Sequence, residues 1–204
     1  MTTPSSPDHT PRLVERLWNL WEALFAKLYH VTPVPGSEGY RLSTTRYHGP
    51  EVYDENGRLV LQNGTPVIEV HVNNAGLRRI VDRYPSPKEG VFRILRQMRH
   101  EMHYVSFAIA TDPRFDGYEV LYGRTLLSVA APRLGWHVHT LPETQAKRFG
   151  WYDHLLMAVY HPQGRSYAQQ REQKSGAAQL LWMRREELFQ NFPPIDPRSE
   201  AANQ

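Results

Sequence analysis

The chain has 204 residues, 40% apolar and 22% charged, and a formal charge of +3, which suits one ordinary globular core and is short for two. It contains no cysteine, which excludes disulfides, thiolate metal ligands and a cysteine nucleophile. No run approaches the ~18 apolar residues needed to cross a bilayer, and the basic residues are spread along the chain rather than gathered in a nucleic-acid-binding stripe.

In chain order, residues 1–11 are rich in Ser, Thr and Pro and predict a disordered tail. They lack the basic-then-apolar order of a signal peptide. With the missing cysteines, this points to a cytoplasmic microbial protein. Leu13, Leu17, Leu20, Leu24 and Leu28 recur at helical spacing and predict a helix over about 12–30. Its aromatic stripe of Trp18, Trp21 and Phe25 is either core packing or a partner surface. A β region follows over about 40–73, with Asn56-Gly57 and Asn63-Gly64 as turns. It reads as an antiparallel meander. A short helix over 75–83 is expected, capped by Asn73 or Asn74 and stopped by Pro85 and Pro87. A longer one is expected from Lys88 to Ala110, with Phe92, Leu95, Met98, Met102 and Val105 on its apolar face.

Tyr118 to Tyr122 predicts a strand, Gly123-Arg124-Thr125 a bend, and Leu126 to Leu134 a helix capped by Thr125. Gly135 suits the left-handed position after that helix. Trp136 to Leu141 predicts another strand and 143–160 another helix, followed by a polar stretch over 162–177. Gln179 to Arg184 predicts a last strand, and Arg185 to Phe189 a helical turn. The expected organisation is therefore one α+β domain over 12–192, a meander sheet packed against several amphipathic helices, with a flexible tail over 193–204.

The strand Val67 to Asn74 carries the best candidate chemistry. Side chains alternate across a strand, so Ile68, Val70 and Val72 share one face while Glu69, His71 and Asn73 share the other. A carboxylate, an imidazole and an amide in one row can bind a polar ligand. They can also run proton transfer, with Glu69 raising the basicity of His71. The plainer alternative is a sheet face that meets water.

Among the ten histidines, His137 and His139 share a strand face, and His100 and His103 share a helix face. Neither pair has a metal-site spacing; a zincin places its histidines four apart. Both read better as packing or surface groups, and neither a metal nor a cofactor is expected. Arg124 and Thr125, at a helix start, suit anion contacts through free N–H groups, or serve as an ordinary cap. No serine sits in a nucleophile elbow. Arg93, Arg96, Arg99 and His100 line one side of the long helix without interleaved aromatics, so nucleic-acid binding is not expected.

Several segments, in order, resemble the YkoP-like family of bacterial proteins. They are Arg41-Leu42-Ser43-Thr44-Thr45-Arg46-Tyr47-His48-Gly49, Val67-Ile68-Glu69-Val70-His71-Val72-Asn73-Asn74, Tyr122-Gly123-Arg124-Thr125-Leu126-Leu127, Arg133-Leu134-Gly135-Trp136 and Leu180-Leu181-Trp182-Met183. Two departures are Gly64-Thr65, where members often have Gly-Asp, and Leu134-Gly135-Trp136, where they often have Leu-Gly-Phe. The resemblance covers most of 12–190. It implies a domain that stands alone or is fused to polysaccharide deacetylases, hence an association with envelope glycans, and it supplies no reaction. The resulting expectation is a small polar ligand, glycan- or lipid-linked, held by Glu69, His71, Asn73, Arg124 and Thr125. The alternatives are a transferase or hydrolase with His71 as general base, and an interaction module built on the aromatic 12–30 helix.

Overall fold

A computed structural model describes residues 30–73, 76, 77, 79, 80, 83, 87–125, 130–141 and 179–202. The tail expected over 1–11, the helix expected over 12–30 up to residue 29, the helix expected over 143–160, the polar stretch 162–177 and the start of the expected 126–134 helix lie outside these residues. In chain order the elements begin with β1 (Thr32–Pro33), β2 (Tyr40–Arg46), β3 (Val52–Tyr53), β4 (Leu59–Leu61) and β5 (Pro66–Val72). There follow α1 (Pro87–Thr111), β6 (Val120–Thr125), β7 (His137–Thr140), β8 (Gln179–Arg184), α2 (Arg185–Asn191) and α3 (Pro197–Ala201). The fold is α+β.

The main sheet has six strands in the order β1-β2-β5-β6-β8-β7, and β3 and β4 form a separate hairpin. It is therefore a mixed sheet and not a meander. All its pairings are antiparallel except β5 with β6, which are parallel. Parallel neighbours need a crossover, and α1 lies on that connection. The meander expectation fails because β4 does not hand its edge to β5. The Asn63-Gly64 turn, with Gly64 at φ 89°, instead brings the chain back to β2. There Tyr47 and Thr65 extend the ladder, Tyr47 N–H donating to Thr65 O at 2.8 Å.

Each face of the sheet has its own core. On one face Leu42, Ile68, Val70, Leu121 and Met183 meet Met102, Val105 and Ile109 of α1, all buried. Burying each such side chain is worth about 1.5–3 kcal/mol. On the other face the hairpin residues Val52, Val60 and Leu61 pack with Tyr47, Val67, Tyr122, Leu180 and Trp182. Coverage of both faces explains why β8 reads as the unbroken apolar run Leu180-Leu181-Trp182-Met183. Arg184 donates to Asp54 at 2.6 Å and ties the hairpin to this strand.

Some local expectations shift. Phe92, placed on the apolar face of α1 by spacing, is 71% exposed, and Val72 at the end of β5 is 38% exposed. Gly135 does take the left-handed conformation, φ 79°, but it closes a short 3-10 turn, Ala131–Leu134. The stretch after 192 carries secondary structure where it is described. It carries α3, opened by the Asp196 cap with a proline in the first turn, and it is pinned to α1. His103 Nδ1 lies 2.8 Å from the carbonyl oxygen of Pro193, and the Tyr104 hydroxyl donates to Glu200 at 2.7 Å. Pro197 stands in the first turn, where a missing backbone N–H leaves no helical hydrogen bond unmade. Among the described residues, no helix is long and apolar enough to cross a membrane.

Candidate functional site

Three neighbouring strands build one polar face. Arg41 lies opposite His71 and Ser43 opposite Glu69 across the β2–β5 ladder, and Glu69 pairs with Tyr122 across β5–β6. Residues opposite one another share a face, so Arg41, Ser43, Glu69, His71, Tyr122 and Arg124 point the same way, beside the second core. The polar row is thus half-sheltered. The side chains of His71, Glu69 and Arg124 are 22%, 17% and 35% exposed, and Ser43 is buried.

The contacts converge on His71. Its Nε2 lies 2.9 Å from Ser43 Oγ and 3.8 Å from a Glu69 carboxylate oxygen. Arg124 Nη2 reaches the other Glu69 oxygen at 3.5 Å. Burial holds the imidazole below its usual titration range, and the Arg124 and Arg41 charges push the same way. Glu69 raises its basicity, as its proximity suggests, but is outweighed. The ring is therefore neutral at pH 7. The arrangement is not a serine-protease-type triad, because serine and carboxylate approach the same ring nitrogen, whereas a triad carboxylate orients the opposite one. Beside the row, burial pushes the Tyr122 phenol upward and keeps it protonated.

Asn73 has a supporting place. Its Oδ1 accepts from Arg41 at 3.0 Å, its Nδ2 donates to Glu38 O at 2.8 Å, and its backbone N–H donates to Gly39 O at 2.8 Å. It thus holds the Arg41 guanidinium and the 38–39 loop. Its carbonyl also accepts the N–H of Leu77, one of the helical residues 76, 77, 79 and 80.

Thr125 departs from expectation. Gly123, Arg124 and Thr125 are not a bend; they are the last three residues of β6, opposite Leu181, Leu180 and Gln179. Ladder pairing with β8 keeps them extended, and the helix start expected at Leu126 lies outside the described residues. Arg124 still reaches the row, from a strand. Gly123 lies on the α1 side, where a Cβ would stand 3.2 Å from Val70 O.

Of the paired histidines, His100, His103 and His137 make ring contacts. His137 stacks on Trp182, with centroids 4.0 Å apart and planes at 12°, and its Nε2 is 3.1 Å from Glu187. His139 follows on the same face, opposite Leu180. His100 lies 3.2 Å from Glu200, so His100 and His103 both fasten the chain's end to α1. Among the described residues, no group of three or more His, Asp or Glu is placed to hold a metal ion. Arg99, one of the basic residues of α1, donates to Arg133 O at 2.8 Å and lies over the Phe192 ring.

Spacing did not single out Ser43, Arg41 or Glu101. The alternation of Arg41, Ser43 and Thr45 was available, but the register that sets it against Glu69 and His71 was not. Glu101 is buried in α1 and accepts from Ser37 Oγ at 2.6 Å, Gly39 N at 2.8 Å and Gln97 at 2.8 Å. A cavity of about 180 Å³ lies on the helix side, between β1 and the end of α1, lined among others by Val34, Leu42, Phe107 and Phe115. It shares no residue with the polar row.

No curated protein and no solved structure matches the chain. The model of one protein family, the YkoP domain, matches residues 11–192. With nearly the whole length matched, the chain belongs to the YkoP domain family.

Proposed function

We propose that the polar face of β2, β5 and β6 binds a small polar ligand, glycan- or lipid-linked, in the envelope polysaccharide metabolism of a bacterial cytoplasm. One observation carries the reading. Ser43, Glu69, His71 and Arg124, from three strands, meet within hydrogen-bonding or ion-pair distance, and the last three are still partly open to solvent. Convergent polar groups beside an apolar wall are what an oriented polar ligand requires. Asn73 then acts by holding Arg41, and the direct contacts fall to His71, Glu69 and Arg124. The envelope association rests on the family resemblance alone.

The test is a thermal-shift screen of nucleotide sugars, isoprenyl phosphates and chito-oligosaccharides against wild type and His71→Ala. A compound that raises the melting temperature of wild type and not of the variant supports the site. Identical profiles for the two proteins would remove it.

A second reading has a specific observation behind it. A neutral imidazole 2.9 Å from a hydroxyl can accept a proton, which suits a transferase or hydrolase with His71 as general base and Glu69 beside it. Its signature would be turnover that falls as His71 becomes protonated and is lost in His71→Gln, while ligand binding persists.

A further inference from the structure

The charges around His71 are asymmetric. Facing it among the described residues are Arg41 from β2, Arg124 from β6 and Glu69 from its own strand, two cations against one carboxylate. Neighbouring strands lie ~4.8 Å apart, so the two arginines flank the central strand with ~10 Å between their backbones. Asn73 fixes one guanidinium at 3.0 Å. The Ser43 hydroxyl stands at 2.9 Å from the ring between them. Glu69 would repel an anion, but its charge is offset by Arg124 at 3.5 Å. Two guanidiniums on the strands flanking an imidazole, with a hydroxyl beside it, can meet more than two oxygens, as a tetrahedral oxyanion requires. A planar carboxylate would be satisfied by one guanidinium fork.

We propose that the ligand carries a phosphate-type group, and that this group seats between Arg41 and Arg124 over His71, which takes up a proton as it binds. The inference rests on the ligand site proposed above and names the chemistry of its ligand. The proton uptake follows from Coulomb's law. In the free protein, burial and two cations hold the ring neutral, and a dianion placed over it reverses that field. The imidazolium then becomes a further charged donor to the ligand. Binding therefore strengthens as pH falls through the interval between the free and the ligand-bound titration midpoints of His71, and levels off below it.

The experiment follows the His71 ring by NMR in the full chain. The probes are sulfate, a sugar 1-phosphate, a short isoprenyl phosphate and a neutral chito-oligosaccharide. Sulfate does not itself titrate across ~pH 5–8, where an imidazole does, so its pH dependence reports the protein. The expected result is that sulfate and at least one organic phosphate raise the His71 midpoint. Arg41→Gln and Arg124→Gln should each weaken binding about tenfold, as for one lost charge-assisted hydrogen bond. Arg41→Lys keeps the charge and controls for folding. The tighter of the two organic phosphates tells whether the group is borne by sugar or by lipid. If the neutral oligosaccharide perturbs His71 and no phosphate does, the phosphate inference is overturned and the ligand site stands. If none of the four perturbs it, both are overturned.

Discussion

Glu101, buried in the long helix, accepts the backbone N–H of Gly39 at 2.8 Å, across a loop whose other side holds the polar row. Gly39 O accepts from Asn73 N, Glu38 O from Asn73 Nδ2, and Asn73 Oδ1 from Arg41. A carboxylate on the helix side of the sheet is thereby linked through Gly39 and Asn73 to a guanidinium beside His71. Replacing Glu101 with Ala would strand the donors of Ser37, Gly39 and Gln97. The expected cost is about 3 kcal/mol, the scale for removing a charged acceptor from buried donors, read as a lower urea midpoint. Glu101→Gln keeps an acceptor oxygen and should cost less. Equal midpoints for wild type and Ala would show that the loop does not depend on this carboxylate.

His71 makes stability pH-dependent with a definite sign. Its folded titration point is lowered, by burial first and by Arg124 and Arg41 after it. Between that point and the unfolded value of ~6.5, the unfolded chain binds more protons than the folded one. Stability is thus full above the unfolded value and falls as pH drops toward the folded one. Urea denaturation at a series of pH values should show this loss in wild type and a flatter profile in His71→Gln. The same slope in both proteins would mean that His71 titrates normally.

The two kinds of charge around the ring should act in opposite directions. Glu69→Gln removes a raising influence and should move the His71 midpoint lower still; Arg124→Gln removes a lowering one and should move it up. The measurement is an NMR titration of the three proteins. Shifts of the same sign in both variants would contradict the geometry of the row.

At the chain's other end, Glu200 ties Tyr104 and His100 to α3, and its hydrogen bond from Tyr104 holds its carboxyl below the usual range. Burial and the same bond push the Tyr104 phenol up to about 12. Tyr104→Phe should free the segment, seen as faster amide hydrogen exchange at Ile195, whose N–H donates to His103 O. Unchanged exchange would assign the anchoring to His103 and Pro193 instead.

Local pattern determined a good part of this protein. The α+β class, the last strand at Gln179–Arg184, the long helix within a residue at each end, and the shared face of Glu69 and His71 all follow from periodicity and turn chemistry within a few residues. Tertiary structure decided what those elements meet. Ser43 and Arg41 join the row only because β5 returns to β2 over the hairpin, and Arg124 reaches Glu69 only because β6 lies parallel to β5. The extended Gly123-Arg124-Thr125 depends on β8, more than fifty residues away in the chain, coming to pair with it. The physical reason is that side-chain alternation is a local property of the backbone, whereas strand partnership is settled by how all the apolar faces are buried together. The strength of His71 as a base shows the same division. Its neighbour Glu69 is visible in the sequence and predicts a raised basicity, while burial and two arginines from other strands reverse the sign.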